Sequence, residues 1–200
     1  MPGQESKNEL SDAAWVAASQ RGDTSAFNRL VLKWEKPVYN LVLRMLQDPE
    51  DAAETTQEVF MRAYRAIGSF RNDSSFSTWL YRIAANHCLT RLKKRGAQPS
   101  CSLDDQDVRT VIQHRMPRQE SHEHEFLQQD AGQRVREALA LLSPEQRLVL
   151  ELKFFQDMTF EEIADFVQAP LSTVKSRLYD GLGVLKNHFG RQKQGVQTKV

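Results

Sequence analysis

Apolar residues recur three or four positions apart along most of this chain, and this spacing is the strongest constraint on its fold. A helix brings residues with such spacing to one face, whereas a half-buried strand needs apolar and polar residues in alternation. The longest helical stripe consists of Phe27, Leu30, Val31, Trp34, Val38, Leu41, Val42 and Met45. Alternating runs are nearly absent, so the sequence predicts an all-α protein.

Residues 96–132 interrupt this pattern. They are rich in Pro, Gln, Ser and Asp, and they carry seven acids against three bases. Such a composition buries little apolar surface and is typical of an extended, flexible linker, here with a short helix predicted near 121–130. We therefore predict two small helical domains, residues 1–95 and 133–189, followed by a basic tail at 190–200.

Turn and capping signals predict where the helices of the first domain begin and end. Ser11 or Asp12 is expected to cap the first helix, and Pro37 is expected to kink or divide the second. A third helix is predicted over Asp51–Ile67. The polar segment Gly68–Ser77 then forms a loop before a fourth helix, whose outer stripe is predicted to carry Arg82, Asn86 and Lys93.

The second domain has clearer boundary signals. Ser143 and Thr159 each begin a capping box, in which a Ser or Thr is followed three residues later by Gln or Glu. A tight connection at Gln168–Pro170 precedes the last helix, which Ser172 is expected to cap and which is predicted to end near Phe189.

The segment from Arg62 to Arg95 contains eight Lys or Arg residues and one acid, in a chain whose net charge is only +1. Aromatic residues lie among these bases, and positive charge combined with aromatic faces is typical of surfaces that hold single-stranded nucleic acid. The structural alternative is a basic, solvated face over an aromatic core. Trp79 is expected in the core under either interpretation, because it is in register with Ile83. Phe70 and Phe76 fall in the polar loop, where they could receive an extruded base.

Two further charged patterns indicate binding surfaces. Residues 48–58 hold five acids and no base, which suits either a helix N-terminus or the docking of a basic partner. Residues 160–189 have the layout of a helix-turn-helix, with Ile163, Val174 and Leu178 facing inward. The outward residues near the start of its second helix would read duplex DNA; they are Ser172, Thr173, Lys175, Ser176, Arg177 and Tyr179. An ordinary helical hairpin is the structural alternative.

Three blocks occur in order: DPEDAAETTQEVFMRAYRAIGSF, SSFSTWLYRIAANHCLTRLKKR and, after the linker, LSPEQRLVLELKFFQDMTFEEIADFVQAPLSTVKSRLYDGLGVLK. They resemble the extracytoplasmic-function sigma factors of bacterial RNA polymerase, over about residues 12–95 and 133–189. The resemblance implies a non-enzymatic alternative sigma factor, active in transcription initiation and stress response. It would direct core polymerase to promoters, promote DNA melting and be controlled by an anti-sigma factor. Neither a cofactor nor a metal is expected.

The resemblance also implies roles for particular residues. The residues expected to bind the coiled coil of the polymerase β′ subunit are Asp48, Asp51, Glu54, Gln57, Glu58 and Phe60. Those expected to bind and melt the minus-ten element are Phe70, Arg71, Ser74, Ser75, Phe76, Trp79, Arg82, Asn86, Arg91, Lys93 and Lys94. The outward helix-turn-helix residues named above would read the minus-thirty-five element. The β subunit is a further expected contact, and the linker would thread toward the RNA exit path.

Several positions depart from the family pattern. Ala53-Glu54 replaces the usual Glu-Asp, Thr90 stands where Asp is common, and Asp180 occupies a position often held by Arg. Gln168 and Ser172 each stand where the family frequently has glycine. If position 168 needs a left-handed backbone, a non-glycine residue there costs about 1 kcal/mol.

Three other functions remain open on sequence alone. A stand-alone, dimeric helix-turn-helix regulator would explain only the second domain. A metal or redox sensor would use His114, His122, His124, Cys88 and Cys101, although no closed ligand set is apparent. An enzyme would need His87 and Cys88 to act together, yet adjacent helical residues point about 100° apart. With no export signal or membrane span, the protein is expected to be cytoplasmic with reduced cysteines, and an anti-sigma factor could hold it at the inner membrane.

Overall fold

A computed structural model describes residues 5–97 and 134–196 of the chain, with side chains described for 12–95 and 134–190. The helices are α1 (Glu5–Gln20), α2 (Thr24–Leu46), α3 (Pro49–Ala66), α4 (Phe76–Ala97), α5 (134–140), α6 (Pro144–Phe154), α7 (Phe160–Val167) and α8 (Leu171–Val196). Between α3 and α4 lies a 3-10 turn, Ile67–Ser69. These ranges contain no strand, which confirms the predicted all-α fold. The linker predicted at 96–132, apart from the end of α4, and its short helix lie outside the described residues.

Helix α2 is the centre of the N-terminal module, which we define as α1–α4. Most of its predicted stripe is buried, with Leu30, Val38, Leu41, Val42 and Met45 all fully inaccessible to solvent, while Val31 and Trp34 are half-buried. Helices α1, α3 and α4 all pack against it. The turn before α2 uses Gly22 at φ 95°, a conformation that costs glycine little. Asp23 then caps α2 by accepting hydrogen bonds from the amides of Ser25 and Ala26.

Two boundary predictions for this module were wrong. Helix α1 begins at Glu5, so Ser11 and Asp12 lie within it and do not cap it. The Asp12 carboxylate is instead buried and paired with Lys33 Nζ at 2.7 Å. Helix α2 also runs through Pro37 without division, since the buried stripe on either side holds it against its neighbours.

The α3–α4 connection is shorter than predicted. Helix α3 begins at Pro49, where Asp48 caps it by accepting from the Asp51 amide at 2.8 Å. Proline suits a first helical position, because the backbone N–H that it lacks would have no acceptor within the helix there. The 3-10 turn and the early start of α4 leave only residues 70–75 as loop. Phe76 is therefore the first residue of a helix, and its prediction as a loop residue was wrong.

The C-terminal module, α5–α8, confirms both predicted capping boxes, at Ser143 and Thr159. In the second box, hydrogen bonds from the Thr159 amide and hydroxyl hold the pKa of Glu162 below its usual value. Ile163, Val174 and Leu178 are buried, as the helix-turn-helix pattern predicted.

The connection between α7 and α8 is the turn of this helix-turn-helix. Gln168 ends α7 in the left-handed conformation, at φ 53° and ψ 47°. Ser172 lies inside α8 and is not its cap, because the helix begins at Leu171. The predicted end near Phe189 was also wrong, since α8 continues to Val196 through the start of the predicted basic tail.

The two modules contact each other through α6, which packs against α2 and α4. The buried apolar residues of both modules form one continuous cluster.

Candidate nucleic-acid interface

The loop between α3 and α4 rests on a cluster of three aromatic rings. The ring centroid of Trp79 lies 4.9 Å from that of Phe70 and 5.7 Å from that of Phe76. Phe70 and Phe76 are only 8% and 5% exposed, whereas Trp79 is half-buried. The two phenylalanines therefore support the loop from below. Arg71 and Ser75 are exposed and Ser74 is half-buried, beside the partly open ring of Trp79, so they form the outer surface of the loop.

Gln20, at the end of α1, holds this loop in place. Its side-chain amide donates hydrogen bonds to the carbonyl oxygens of Ile67 at 3.1 Å and Phe70 at 2.8 Å. These contacts join residues about fifty positions apart, so no local pattern in the sequence could have identified Gln20.

Ser75 has a structural role in addition to its exposed position. Its hydroxyl accepts from the Thr78 amide at 3.1 Å, and its carbonyl accepts from the Trp79 amide at 3.1 Å. Its hydroxyl also lies 2.8 Å from that of Ser77. These bonds define the start of α4 and fix the loop relative to the helix.

Helices α3 and α4 are joined by pairs between acids predicted to bind polymerase and basic side chains of α4, of which Arg91 was predicted to bind DNA. Arg91 Nη2 lies 2.6 Å from carboxylate oxygens of both Asp51 and Glu54, and Arg95 also pairs with Asp51. His87 Nε2 lies 2.5 Å from a Glu58 carboxylate oxygen. The acids expected to bind polymerase thus neutralise part of the charge expected to bind DNA. The sequence did not indicate this pairing, because the two sets lie about forty residues apart.

A groove of about 720 Å³ lies beside these pairs, between α3 and α4. It brings together the predicted residues Asn86, Arg91 and Lys94. The other residues lining it are Glu58, Arg62, Ala66, Ile83, His87 and Thr90. Arg62 is exposed there and adds a cation that the predicted set omitted, although it had been counted in the basic segment.

Two residues of the predicted minus-ten set, Lys93 and Arg82, do not line this groove. Lys93 is exposed but does not line the groove. Arg82 was predicted on an outer stripe, but it is half-buried, with its guanidinium carbon 5.4 Å from the centroid of the Phe166 ring in α7. Its Nε is buried without a hydrogen-bond partner among the described residues. The outer-stripe prediction for Arg82 was therefore wrong, because the C-terminal module covers this side chain.

The predicted polymerase set is similarly divided. Asp48 and Gln57 are exposed, whereas Phe60 is 7% exposed and belongs to the core. The exposed length of α3 also includes Met61 and Tyr64, which are 54% and 50% exposed. These two residues were not predicted, although their spacing from Gln57 places them on the same helical face.

The first turns of α8 present the predicted duplex-reading residues to solvent. Ser172, Lys175, Ser176 and Tyr179 are exposed, and Thr173 and Arg177 are half-buried. The opposite face of this helix, with Val174 and Leu178, is buried. Lys175 Nζ lies 5.7 Å from the Phe160 ring centroid, and the Ser176 hydroxyl donates to Thr173 O at 3.1 Å.

The thiol and metal hypotheses find little support in the described residues. Burial, as the largest cause, raises the pKa of the Cys88 thiol to about 12, which leaves it without thiolate character near neutral pH. Its neighbour His87 is paired with Glu58, not with this thiol. No metal-ligand group of three or more His, Cys, Asp or Glu residues occurs in the described part. His114, His122, His124 and Cys101 lie outside it.

Within the same ranges, none of the helices combines the length and apolar character that crossing a membrane requires.

Comparison with known proteins identifies the family. Residues 30–98 match Sigma-70 region 2, and residues 132–183 match Sigma-70, region 4. The chain is 37% identical over 170 residues to the RNA polymerase sigma-H factor of Pseudomonas aeruginosa, covering 84% of this chain and 88% of that protein. It is 33% identical over 181 residues to the ECF RNA polymerase sigma-E factor of Escherichia coli (strain K12), covering 90% and 94%. The chain belongs to the extracytoplasmic-function (ECF) sigma factor family.

Solved structures agree with this sigma factor's helical fold. CnrH, in complex with the cytosolic domain of CnrY, aligns with a TM-score of 0.65 at 19% identity, over 90% of this chain and 98% of that one. The sigma factor RpoE of Bartonella quintana, in complex with the anti-sigma factor NepR, aligns with a TM-score of 0.58 at 22% identity, over 80% and 94%.

The family assignment confirms that the protein is an alternative sigma factor, and sigma factors are transcription initiation factors. It does not favour the dimeric helix-turn-helix regulator or the sensor. The region 2 match covers most of α2 and all of α3 and α4, and the region 4 match covers α5 to the first half of α8, so both candidate surfaces lie in matched segments.

Proposed function

We propose that this sigma factor binds core RNA polymerase through α3, holds the opened minus-ten strand along α4, and reads the duplex minus-thirty-five element with α8. The observation that carries the proposal is the two-sided character of α8, whose polar first turns are exposed while Val174 and Leu178 are buried. Binding energy then opens the DNA, and the chain contributes no chemical step of its own.

The exposed start of α8 suits a duplex reader. A recognition helix enters the major groove with its N-terminal residues against the base edges. Lys175 and Arg177 carry donors that suit the acceptors of guanine, and the hydroxyls of Ser172, Thr173 and Ser176 suit phosphate oxygens. Helix α7 packs against this helix, with Ile163 and Val174 both buried, and this packing fixes its orientation.

The groove between α3 and α4 suits the backbone of a single strand. Arg62 and Lys94 are exposed at its edge, and Asn86 provides a neutral donor and acceptor between them. Its volume falls in the range of sites that hold a group of nucleotide size. The loop at Arg71–Ser75, with Trp79 beside it, extends this surface toward the start of α4, where an extruded base would be received.

The exposed stripe of α3 suits the polymerase. Glu54, Gln57 and Met61 lie on one face, one helical turn apart, and all three are exposed. We assign the β′ coiled coil to this stripe, with a further contact to the β subunit. Phe60, in the core directly beneath, supports the helix and does not bind the coiled coil itself.

Control by an anti-sigma factor completes the proposal. RpoE of Bartonella quintana is bound to an anti-sigma factor, and CnrH to a cytosolic domain. We infer a comparable protein partner for this chain, which would act in the cytoplasm and could be held at the inner membrane.

In vitro transcription tests the proposal. Purified protein is mixed with core RNA polymerase and genomic DNA, and the 5′ ends of the transcripts are mapped. We expect starts that are absent with core polymerase alone and that share two sequence elements upstream. Transcripts identical with and without the protein would contradict the proposal.

A further inference from the structure

Asp180, one of the positions that depart from the family pattern, is an exposed acid on the reading face of α8. It follows Thr173 by seven residues, Ser176 by four and Arg177 by three. Residues with this spacing lie above one another on one face of a helix. The buried face of α8, which includes Val174, lies on the other side. Asp180 therefore shares a face with residues assigned to duplex reading.

The same spacing serves DNA reading in another class of helix-turn-helix protein. In homeodomains, the side chains that read the major groove occupy positions i, i+3, i+4 and i+7 of the recognition helix. In α8 these positions are Thr173, Ser176, Arg177 and Asp180. From the first to the last they cover about 10 Å along the helix axis, which is roughly three base pairs of duplex. Asp180 thus lies within the length of helix that one major groove can hold.

The turn of α8 that carries Asp180 is held firmly against α6. The next residue, Gly181, is buried, and a Cβ atom added there would lie 2.8 Å from Leu150 Cδ1. The two helices are therefore as close at this point as their atoms allow. Leu178, two residues before Asp180, is also buried. Asp180 is thus projected from a fixed backbone, as a reading residue needs to be.

Contacts within the protein do not occupy this acid. The Asp180 carboxylate forms neither an ion pair nor a hydrogen bond with residues 12–95 or 134–190, even though Arg177 lies one turn before it. It is also too far along α8 to be stabilised by the helix dipole, which favours acids only in the first turn. The carboxylate is therefore available to contact DNA.

The chemistry of a carboxylate decides which part of a duplex it can contact. It is negatively charged and only accepts hydrogen bonds, so phosphate oxygens repel it. In the major groove, guanine presents acceptors at N7 and O6, and thymine presents an acceptor at O4. Adenine offers a donor at N6, but the N7 acceptor lies beside it. Cytosine presents the N4 amino donor, so it is the base that suits a carboxylate best.

We propose that Asp180 is a specificity-determining residue for the upstream element, and that its carboxylate accepts a hydrogen bond from the N4 amino group of a cytosine. This inference rests on the proposed function, since it requires α8 to lie in the major groove. An arginine at this position would instead suit guanine. This chain therefore selects a different base pair there from family members that carry arginine.

Selection from a randomised promoter library tests this role. Holoenzyme is assembled from the full chain and core RNA polymerase. The library varies every base pair of the upstream element and keeps the minus-ten element of a promoter mapped by the transcription experiment above. Bound fragments are sequenced for the unsubstituted protein and for Asp180→Ala. We expect one base pair at which the unsubstituted protein enriches cytosine on one strand by roughly 5-fold or more, which is the lower end of what one base contact contributes. Asp180→Ala should lose this preference.

Two further variants should change the base selected at that same pair. Asp180→Arg should enrich guanine, because a guanidinium donates to N7 and O6, and Asp180→Asn should enrich adenine, because an amide suits N6 and N7. The other base pairs should be selected as before. The matched control is Asp165→Ala, which removes an exposed acid from α7. It should leave the cytosine preference unchanged.

The outcomes separate this inference from the proposed function. If Asp180→Ala selects the same bases as the unsubstituted protein while Lys175→Ala does not, Asp180 does not read DNA and the proposed function stands. A change confined to a pair at which the unsubstituted protein does not favour cytosine would also overturn the carboxylate contact. If the unsubstituted protein enriches no upstream base at all, both the proposed function and this inference are wrong.

Discussion

The two modules present their candidate binding residues in different ways. In the N-terminal module the charged residues of α3 and α4 pair with each other, as Asp51 does with Arg91, and the loop aromatics are buried. In the C-terminal module, none of the duplex-reading residues of α8 forms an ion pair with another described residue.

This difference fits the two tasks. Reading a stable duplex needs side chains projected from a rigid helix, whose own core contacts lie on the opposite face. Holding an opened strand needs a preshaped groove, and a groove lined by many like charges would destabilise the module unless acids offset part of that charge. The residues of the N-terminal surface therefore also hold the module together. Substituting them should lower the stability of the protein more than substituting the reading residues of α8.

The largest effect is expected for Phe76→Ala in the N-terminal module. Phe76 is 5% exposed and packs on Phe70 and Trp79. Truncating a buried Phe typically costs about 3–5 kcal/mol in the free energy of unfolding. Urea denaturation should show this loss, and promoter opening should then fall because less of the protein is folded.

The matched control is Arg71→Ala, at an exposed position of the same loop. It should change the free energy of unfolding by less than about 0.5 kcal/mol. A Phe76→Ala protein of unchanged stability that nevertheless fails to open promoters would show that this ring contacts DNA directly.

The same difference explains how much could be predicted from the sequence. Periodicity identified the all-α class, the buried stripe of α2 and the outward residues of α8, because each depends on spacing within one helix. Both capping boxes were found for the same reason. The burial of Phe76 was missed, since a polar neighbourhood suggested a loop where an early helix start turns this ring inward.

Long-range contacts account for the remaining errors. The covering of Arg82 by Phe166 and the contacts of Gln20 with the loop join residues that are distant in sequence, and no local pattern encodes them. Pro37 was expected to interrupt α2, yet tertiary packing outweighed the local preference. Asp12 was read as a cap although it pairs with Lys33 inside a longer helix.

In the C-terminal module, substitutions in the reading helix should change DNA recognition and leave stability intact. We expect Lys175→Ala and Arg177→Ala each to weaken the free energy of binding to the upstream element by about 1–3 kcal/mol. One good base contact usually contributes this much. Fluorescence anisotropy of the holoenzyme on promoter fragments measures this change.

Lys186→Ala is the matched control, since Lys186 is exposed on the same helix beyond the reading turns. It should weaken DNA binding less than Lys175→Ala does. Equal loss from both variants, or loss of polymerase binding by Lys175→Ala, would show that α8 contributes general charge and not recognition.

Gln20→Ala tests whether the N-terminal surface depends on internal support. The variant loses two hydrogen bonds to the loop, each worth about 0.5–1.5 kcal/mol. We expect weaker opening of a duplex promoter, by several-fold, and a smaller loss on a pre-melted template, where less binding energy is needed. Potassium permanganate footprinting measures the opening.

Gln20→Glu should behave like Gln20→Ala, because a carboxylate cannot donate to the two carbonyl oxygens. Arg21→Ala, at the exposed neighbouring position, is the control and should open promoters normally. If Gln20→Glu opens promoters as well as the unsubstituted protein, the loop does not need this support.

The smallest effect concerns a feature that the two modules share. Gln47 ends α2 and Gln168 ends α7, both in the left-handed conformation, with φ of 67° and 53°. Glycine avoids the strain of a side chain there, so Gln168→Gly should raise the free energy of unfolding by about 1 kcal/mol or less. The greater freedom of glycine in the unfolded chain offsets part of this gain.

Gln47→Gly should raise the free energy of unfolding by a similar amount, because each glutamine donates one side-chain hydrogen bond to the carbonyl three residues earlier. Urea denaturation of both variants makes the comparison. A loss of stability confined to Gln168→Gly would mean that the amide bond to Asp165 O, at 2.7 Å, holds the helix-turn-helix turn more strongly than backbone strain opposes it.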